Sequence, residues 1–237
     1  MKLHVTSTAF NAGALSKRCI QSVANQTFQD WEMTFIDADS TDLGSTWANA
    51  KVGSMAAPEH KVTLSRNPTG QRKSILENLL PLWRRLPQDD VVVWLDGDDE
   101  LATRQALQIV ANRHASGALV TYGQFLWEDG RVGFAAPSSR FARTEPWRAT
   151  HLKTFRAGLT RHLRDSDLQD LKFAGDQAVM LAMLEMVPEA RAHFIDRVLY
   201  VFNSGHSLVE NTPDRSEEYA EVARVRALPR YEPVVSG

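Results

Sequence analysis

The sequence predicts an α/β fold in which a mostly parallel central sheet is flanked by helices and followed by a smaller antiparallel and helical part. Three observations carry this prediction. Apolar, β-branched runs alternate with helical periodicities through residues 1–112. One run, Val91-Val92-Val93-Trp94-Leu95, is apolar throughout, as a strand buried on both faces must be. It runs straight into Asp96-Gly97-Asp98-Asp99-Glu100, which puts acids at the carboxyl edge, where open α/β sheets gather their ligands.

Taken in order, Leu3 to Thr8 reads as a first strand ending in hydroxyl residues, and Phe10-Asn11-Ala12-Gly13 as the loop after it. Leu15, Cys19, Ile20 and Val23 then recur at helical spacing, with Ser16 as the expected cap. Trp31 to Ile36 forms a second strand that opens into Asp37-Ala38-Asp39-Ser40-Thr41-Asp42, where Ser40 or Thr41 offers a cap for the next helix. Lys61 to Ser65 is a third strand and Asn67-Pro68-Thr69-Gly70 a turn. Arg72 to Leu86 reads as a helix with Ile75, Leu79, Leu82 and Leu86 inward and Pro81 as a kink. After the central strand and its acids comes a helix through Leu107 and Val110. Short connections of this kind imply right-handed crossovers in a parallel sheet.

Composition narrows the function. The 237 residues are 43% hydrophobic with a net charge of −2, which suits one domain and offers no basic face for nucleic acid. The division expected is a first half at 1–112, a second at 113–207 and a C-terminal helix and tail at 208–237. Cys19, the single cysteine, has no disulfide partner and reads as a small packed hydrophobe. With no apolar run long enough to span a bilayer and no signal peptide, a cytoplasmic protein with at most peripheral membrane contact is expected.

Three carboxylates as close as Asp96, Asp98 and Asp99 repel one another, and a hard cation such as Mg²⁺ or Mn²⁺ relieves that while leaving positions for phosphate oxygens. A solvated acidic turn is the plainer alternative.

Together these stretches resemble a family-2 glycosyltransferase of the GT-A fold. The resemblance rests on Val5-Thr6, Phe10-Asn11, the helix through Ser22-Val23 with Gln26-Thr27-Phe28, and Phe35-Ile36-Asp37 leading to Ser40-Thr41-Asp42. Gly70 with Arg72, and Leu95-Asp96-Gly97-Asp98-Asp99, complete it. It implies a nucleotide diphosphate sugar donor, uridine-linked by default, and inverting transfer to a glycan or lipid-linked acceptor such as a bacterial surface polysaccharide. By position it assigns Thr6, Asp37, Asp39, Arg72 and Asp96 to the nucleotide. The family often has Asp-Asp-Gly where this chain has Asp37-Ala38-Asp39, which leaves open which acid meets the base.

In the second half, Ala118 to Gly123 reads as a strand, and Asp129-Gly130 as a hairpin turn between Phe125-Leu126-Trp127 and Arg131 to Phe134. The basic, aromatic stretch Arg148 to Arg156 reads as a solvated helix face, or else as a basic rim for diphosphate or an acidic glycan. Ala178 to Met186 is an apolar helix with Asp176 at its start. Asp176 suits an N-cap, and the resemblance makes it the catalytic base. His193 to Asn203 reads as an edge strand. Beyond it, His206 is either a surface residue or, by resemblance, a metal ligand beside Asp98. A final helix, Ser216 to Leu228, is expected to turn Tyr219, Val222 and Val225 inward.

Two other functions fit parts of the pattern. A nucleotidyltransferase shares the sheet but calls for a more glycine-rich first loop than Ser7 to Gly13. A non-catalytic domain binding sugar nucleotides or glycans would keep the fold without the chemistry.

Overall fold

The computed structural model describes residues 1–139, 142–206 and 214–234, with the side chain of His206 outside the description. Its centre is one eight-stranded sheet. Strands β1 (Leu3–Ala9), β2 (Trp31–Asp37), β3 (Val62–Arg66) and β4 (Val91–Trp94) lie parallel in the order β3-β2-β1-β4. Helices α1 (Leu15–Ala24), α2 (Ser45–Ser54) and α3 (Ile75–Trp83) make the crossovers, as expected.

Beyond β4 the sequence order breaks down. The sheet continues β7 (Lys153–Arg156), β6 (Val120–Trp127), β8 (Ala192–Phe202) and β5 (Glu100–Leu101). β7 runs antiparallel to both β4 and β6, while β8 is parallel to β6. Helices α4 (Ala106–Ala115), α5 (Asp165–Leu168), α6 (Gly175–Met186) and α7 (Ser216–Ala227) complete the fold.

The pleat of β4 explains its unbroken apolar sequence. Val92 and Trp94 face a core built with Leu79 and Trp83 of α3, Phe155 of β7 and Met180 of α6. Val91, Val93 and Leu95 face the opposite core, with Ile20 of α1, Leu107 and Val110 of α4 and Tyr200 of β8. A strand with helices on both faces has no polar side to show. Cys19 is buried in that second core, as its context predicted.

Several local expectations are corrected. Ser16 is not a cap: it lies inside α1, buried, and donates to the carbonyls of Gly13 and Thr46. Neither Ser40 nor Thr41 caps α2. Asp42 does the equivalent, accepting from the N–H of Thr46 at 3.0 Å and from its hydroxyl at 2.6 Å. α3 starts at Ile75, not Arg72, with a capping box of Ser74 and Glu77. Its inward face is Leu76, Leu79, Leu80 and Trp83, and Ile75 points outward. Arg72 therefore sits in the preceding coil.

The Arg148 to Arg156 stretch is no helix face, because its second part is the buried strand β7. β8 is not the edge: two-residue β5 pairs with its end. In α7, Val225 is buried and Val222 packs against the core, but Tyr219 is 61% exposed and Glu221 takes the inward place instead. The Asp129-Gly130 turn is present, with Gly130 at φ 87° and the N–H of Trp127 bonded to the carbonyl of Arg131. Among the described residues no helix is long and apolar enough to cross a membrane.

Candidate active site

The acids leave β4 against the end of β1. The N–H groups of Leu95 and Gly97 donate to the carbonyls of Thr6 and Thr8, at 3.2 and 2.9 Å, so the parallel ladder runs on into the acidic loop. A Cβ on Gly97 would stand 2.6 Å from the Thr8 carbonyl oxygen and 2.7 Å from the Ala9 Cβ, so only glycine lets the acids pass this close.

The three carboxylates then take different roles. Asp99 is buried, with Oδ1 accepting from the N–H of Asn203 at 2.7 Å and Oδ2 against the Tyr200 hydroxyl. Burial, with Asp98 and Asp96 nearby, pushes its pKa well above the usual carboxylate range. Asp96 accepts from the Trp94 indole N–H at 3.0 Å and from the Tyr200 hydroxyl at 3.1 Å. The Tyr200 hydroxyl therefore lies between the two carboxylates, within hydrogen-bond distance of Oδ2 of both Asp99 and Asp96. Asp98 has no side-chain partner among the described residues, and burial together with the Asp96 charge pushes its pKa up to about 7.

No group of three His, Cys, Asp or Glu forms a ready metal cage among the described residues. Asp98 nevertheless suits a hard cation, as a half-buried carboxylate with no ion-pair partner among the described residues. Mg²⁺ and Mn²⁺ are often held by one or two carboxylates with substrate phosphates completing the shell. The His206 side chain lies outside the described residues. Its backbone closes a one-turn 3₁₀ helix, Ser204–His206, directly after Asn203, whose amide donates to the Asp98 carbonyl at 2.7 Å.

On the β1–β3 side the strand ends form a second polar group. Asp37 is fully buried, with Oδ1 accepting from the N–H of Ser40 at 2.8 Å and Oδ2 3.2 Å from the Arg66 guanidinium. Asn67 donates its N–H to the Asp37 carbonyl, while its buried side-chain amide nitrogen has no hydrogen-bond partner. Asp39, at φ 71°, accepts from the N–H of Gly70 at 2.8 Å and so ties the loop after β2 to the loop after β3. Arg72 is exposed, its guanidinium stacked 3.6 Å over the Phe10 ring.

Asp37 at the end of β2, and Asp39 and Arg72 on the loops beyond the strand ends, thus lie at the carboxyl end of the parallel strands. Thr6 does not join them. It lies mid-strand, 2% exposed, and its hydroxyl accepts from the Trp83 indole at 2.9 Å.

Across β4 lies the third group. Asp176 is the second residue of α6 and not its cap, which is Ala174. Its Oδ1 accepts from the N–H of Gln177 at 2.7 Å. Burial raises its pKa, with the Asp96 charge adding to the rise, while the Lys153 ammonium is the largest influence pulling it back down. Asp96, Lys153 and Asp176 therefore share one field. Lys153 of β7 is 1% exposed, with Nζ 3.8 Å from Asp96 Oδ2, 3.2 Å from His151 Nδ1 and 4.7 Å from the Trp94 ring centre. The His151 ring stacks on Tyr200 at 4.3 Å.

The loop carrying Asp176 is held from α7. The Glu221 carboxylate accepts from the successive N–H groups of Lys172, Phe173 and Ala174, at 2.8–3.1 Å. Sequence reading missed Lys153, Tyr200, Asn203 and Glu221. None stands in a motif, and only the fold brings them to the acids or to the base-bearing loop.

The family model for glycosyl transferase family 2 matches residues 5–174, and the chain belongs to that family. No curated protein matches the sequence. Among solved structures, S. aureus TarS 1–349 aligns with a TM-score of 0.60 at 20% identity, covering 95% of this chain and 70% of that one. The same TarS segment in complex with UDP-GlcNAc aligns at 0.70 and 19% identity, over 96% of this chain and 66% of that one. A mannosyltransferase from Pyrobaculum calidifontis in complex with GDP-Man and Mn²⁺ aligns at 0.58 and 19%, over 86% and 57%. The chain spans less than two thirds of the last two. These likenesses establish the GT-A fold. The family match ends two residues before Asp176, whose place in the site rests on its own geometry.

Proposed function

We propose that this family 2 glycosyltransferase moves a sugar from a nucleotide diphosphate donor, UDP-linked, to an acceptor hydroxyl with inversion. The observation that carries the reading is that Asp37 and the Asp96–Asp98 acids leave β2 and β4, the two parallel strands flanking β1, at their carboxyl ends, while Asp176 feels the charges of Asp96 and Lys153.

Asp37 and Asn67 offer one buried acceptor oxygen and one unpartnered donor amide, a pairing suited to the edge of a pyrimidine base, with Asp39 and Arg72 on the loops beside it. Asp98 would hold Mn²⁺ or Mg²⁺ against the diphosphate, with Asp96 and, by the family resemblance alone, His206 as further candidates. When bound, the cation supplies positive charge against the leaving diphosphate. TarS with UDP-GlcNAc and the mannosyltransferase with GDP-Man and Mn²⁺ support donors and a metal of these classes.

Asp176 takes the proton of the acceptor hydroxyl as its oxygen bonds to the anomeric carbon. The bond from that carbon to the phosphate oxygen breaks, and its electron pair leaves with the nucleoside diphosphate. The Lys153 charge pulls the Asp176 pKa down against the burial that raises it, and so favours the ionised form that can accept a proton. A glycan or lipid-linked acceptor of bacterial surface polysaccharide type, met from the cytoplasm with at most peripheral membrane contact, is the reading for the partner.

The test is turnover of UDP-GlcNAc and GDP-mannose against an acceptor panel with Mn²⁺, following the product's anomeric proton by NMR. An inverted anomeric configuration, lost in Asp176→Asn, supports the reading. Retention of configuration excludes the single displacement. Tight donor binding with no turnover moves the binding-domain alternative to the front.

A further inference from the structure

Lys153 is a lysine 1% exposed in the centre of the molecule. An ammonium withdrawn from water needs compensation, and it has three protons to place. One finds His151 Nδ1 at 3.2 Å. Asp96 Oδ2, at 3.8 Å, gives charge balance but lies beyond hydrogen-bond reach, and the Trp94 face, at 4.7 Å, supplies only a diffuse attraction. Burial and the Lys153 charge push the His151 pKa well below the usual histidine range, and an imidazole supplies no negative charge to balance the ammonium. The ammonium is thus 1% exposed with donor capacity unspent.

Its place says what could take up that capacity. β7 lies between β4, which carries the donor-side acids, and β6. The Lys153 charge acts on Asp96 from 3.8 Å and on Asp176 at the start of α6. On the proposed reading, the nucleotide diphosphate lies on the Asp98 side and the acceptor oxygen at Asp176. The sugar in transit occupies the space between, next to this ammonium.

We infer that Lys153, paired with Asp96, is a sugar-binding residue that donates to a hydroxyl or carbonyl oxygen of the transferred sugar and so helps decide which donor sugar is accepted. A carboxylate that accepts and an ammonium that donates, set side by side, can hold two neighbouring sugar hydroxyls at once. This inference rests on the donor-site reading above but goes beyond it: the diphosphate and base sites can be right and Lys153 still be only structural.

The experiment compares the sugar-dependent part of binding in wild type and Lys153→Met, a volume-conserving change that removes a buried charge and leaves the strand apolar. Calorimetry with Mn²⁺ measures UDP against UDP-GlcNAc, and GDP against GDP-mannose. The wild type should bind one sugar nucleotide at least tenfold more tightly than its bare diphosphate. Lys153→Met should lose most of that increment, by roughly 10–100-fold, the range of one hydrogen bond to a charged group. Its affinity for the bare diphosphate should stay within about threefold.

Equal losses for diphosphate and sugar nucleotide would put the ammonium on the diphosphate and overturn the inference. So would an unchanged sugar increment in a folded variant, or a wild type that binds neither sugar nucleotide better than its diphosphate. If Lys153→Met fails to fold, Lys153→Arg serves. It keeps the charge but moves the donors, and should lower kcat/KM for the preferred sugar relative to its epimer while diphosphate affinity holds. Unaltered epimer discrimination would contradict the inference. Failure of the wild type to bind even bare UDP or GDP would instead refute the donor site itself.

Discussion

The two sides of β4 are built by different physics. On the β1–β3 side, neighbours in sequence are neighbours in the sheet, the strands are parallel, and backbone hydrogen bonds carry the acidic loop to its place. On the β5–β8 side the order is scrambled, and buried charges do the positioning. Glu221 holds three successive N–H groups ahead of Asp176, and Arg143 pairs with Glu185 inside the core at 2.6 Å. On the proposed reading, donor chemistry sits on the first side, and the base and Lys153 on the second. The first side should therefore be sensitive to changes of backbone shape, and the second to changes of charge.

The largest expected effect tests charge on the second side. Asp176→Asn removes the proton acceptor without changing size, so kcat should fall by about a thousandfold, within the general-base range, while donor affinity holds. A kcat within tenfold of wild type would defeat the base assignment. Next comes the first side's shape. Gly97→Ala forces a contact of 2.6 Å with the Thr8 backbone, so the loop must shift, and Mn²⁺-dependent UDP affinity should drop by tenfold or more. Unchanged affinity would show that the close packing of loop on β1 is dispensable.

Glu221→Ala is expected to do less to donor binding and more to stability. It strips an ionised acceptor from buried N–H groups and should cost about 2–3 kcal/mol in urea unfolding. Glu221→Gln, which retains one acceptor oxygen, should recover part of that loss. Equal stabilities for all three proteins would remove Glu221 from the account.

The smallest effect is pH dependence. A carboxyl whose folded pKa is raised binds more protons folded than unfolded, so its contribution to stability falls as pH rises between the two values. For Asp98 that window runs from about 4, the ordinary value, to about 7. In metal-free buffer the melting temperature of Asp98→Asn minus that of wild type should therefore grow by a few degrees from pH 4.5 to pH 7. A flat difference would mean that Asp98 is not withdrawn from solvent.

The same contrast explains what could be read in advance. Val91 to Leu95 announces a doubly covered strand because each pleat meets a core, and the parallel order follows from short crossovers. Asp37, Asp39 and the Asp96–Asp98 acids are legible because such strands deliver their ends to a common edge. Lys153 was not legible. In Arg148 to Arg156 it reads as one of several basic residues, and only pairing of β7 with β4 buries it beside Asp96. The Thr6 hydroxyl was not legible as a packing group, because its partner, the Trp83 indole, lies 77 residues later. The inward face of α3 differs from the expected one because both faces are apolar in sequence, and packing selects Leu76, Leu80 and Trp83 with Leu79 over Ile75 and Leu82. Tyr219 was expected inside because aromatics usually are, but the α7 face that meets the loop before α6 carries Glu221.

The most direct test of the central claim, that the end of β4 is a donor site, is a thermal-shift screen of UDP- and GDP-linked sugars with and without Mn²⁺, on wild type and Asp98→Ala. A ligand confined to the native state at a hundredfold excess over its Kd stabilises by about 2.7 kcal/mol. The account predicts a rise in melting temperature of several degrees with one sugar nucleotide, dependent on Mn²⁺ and absent in Asp98→Ala. A rise of the same size in Asp98→Ala, or none with any sugar nucleotide, would contradict it and leave Asp96 to Asp99 as an acidic turn.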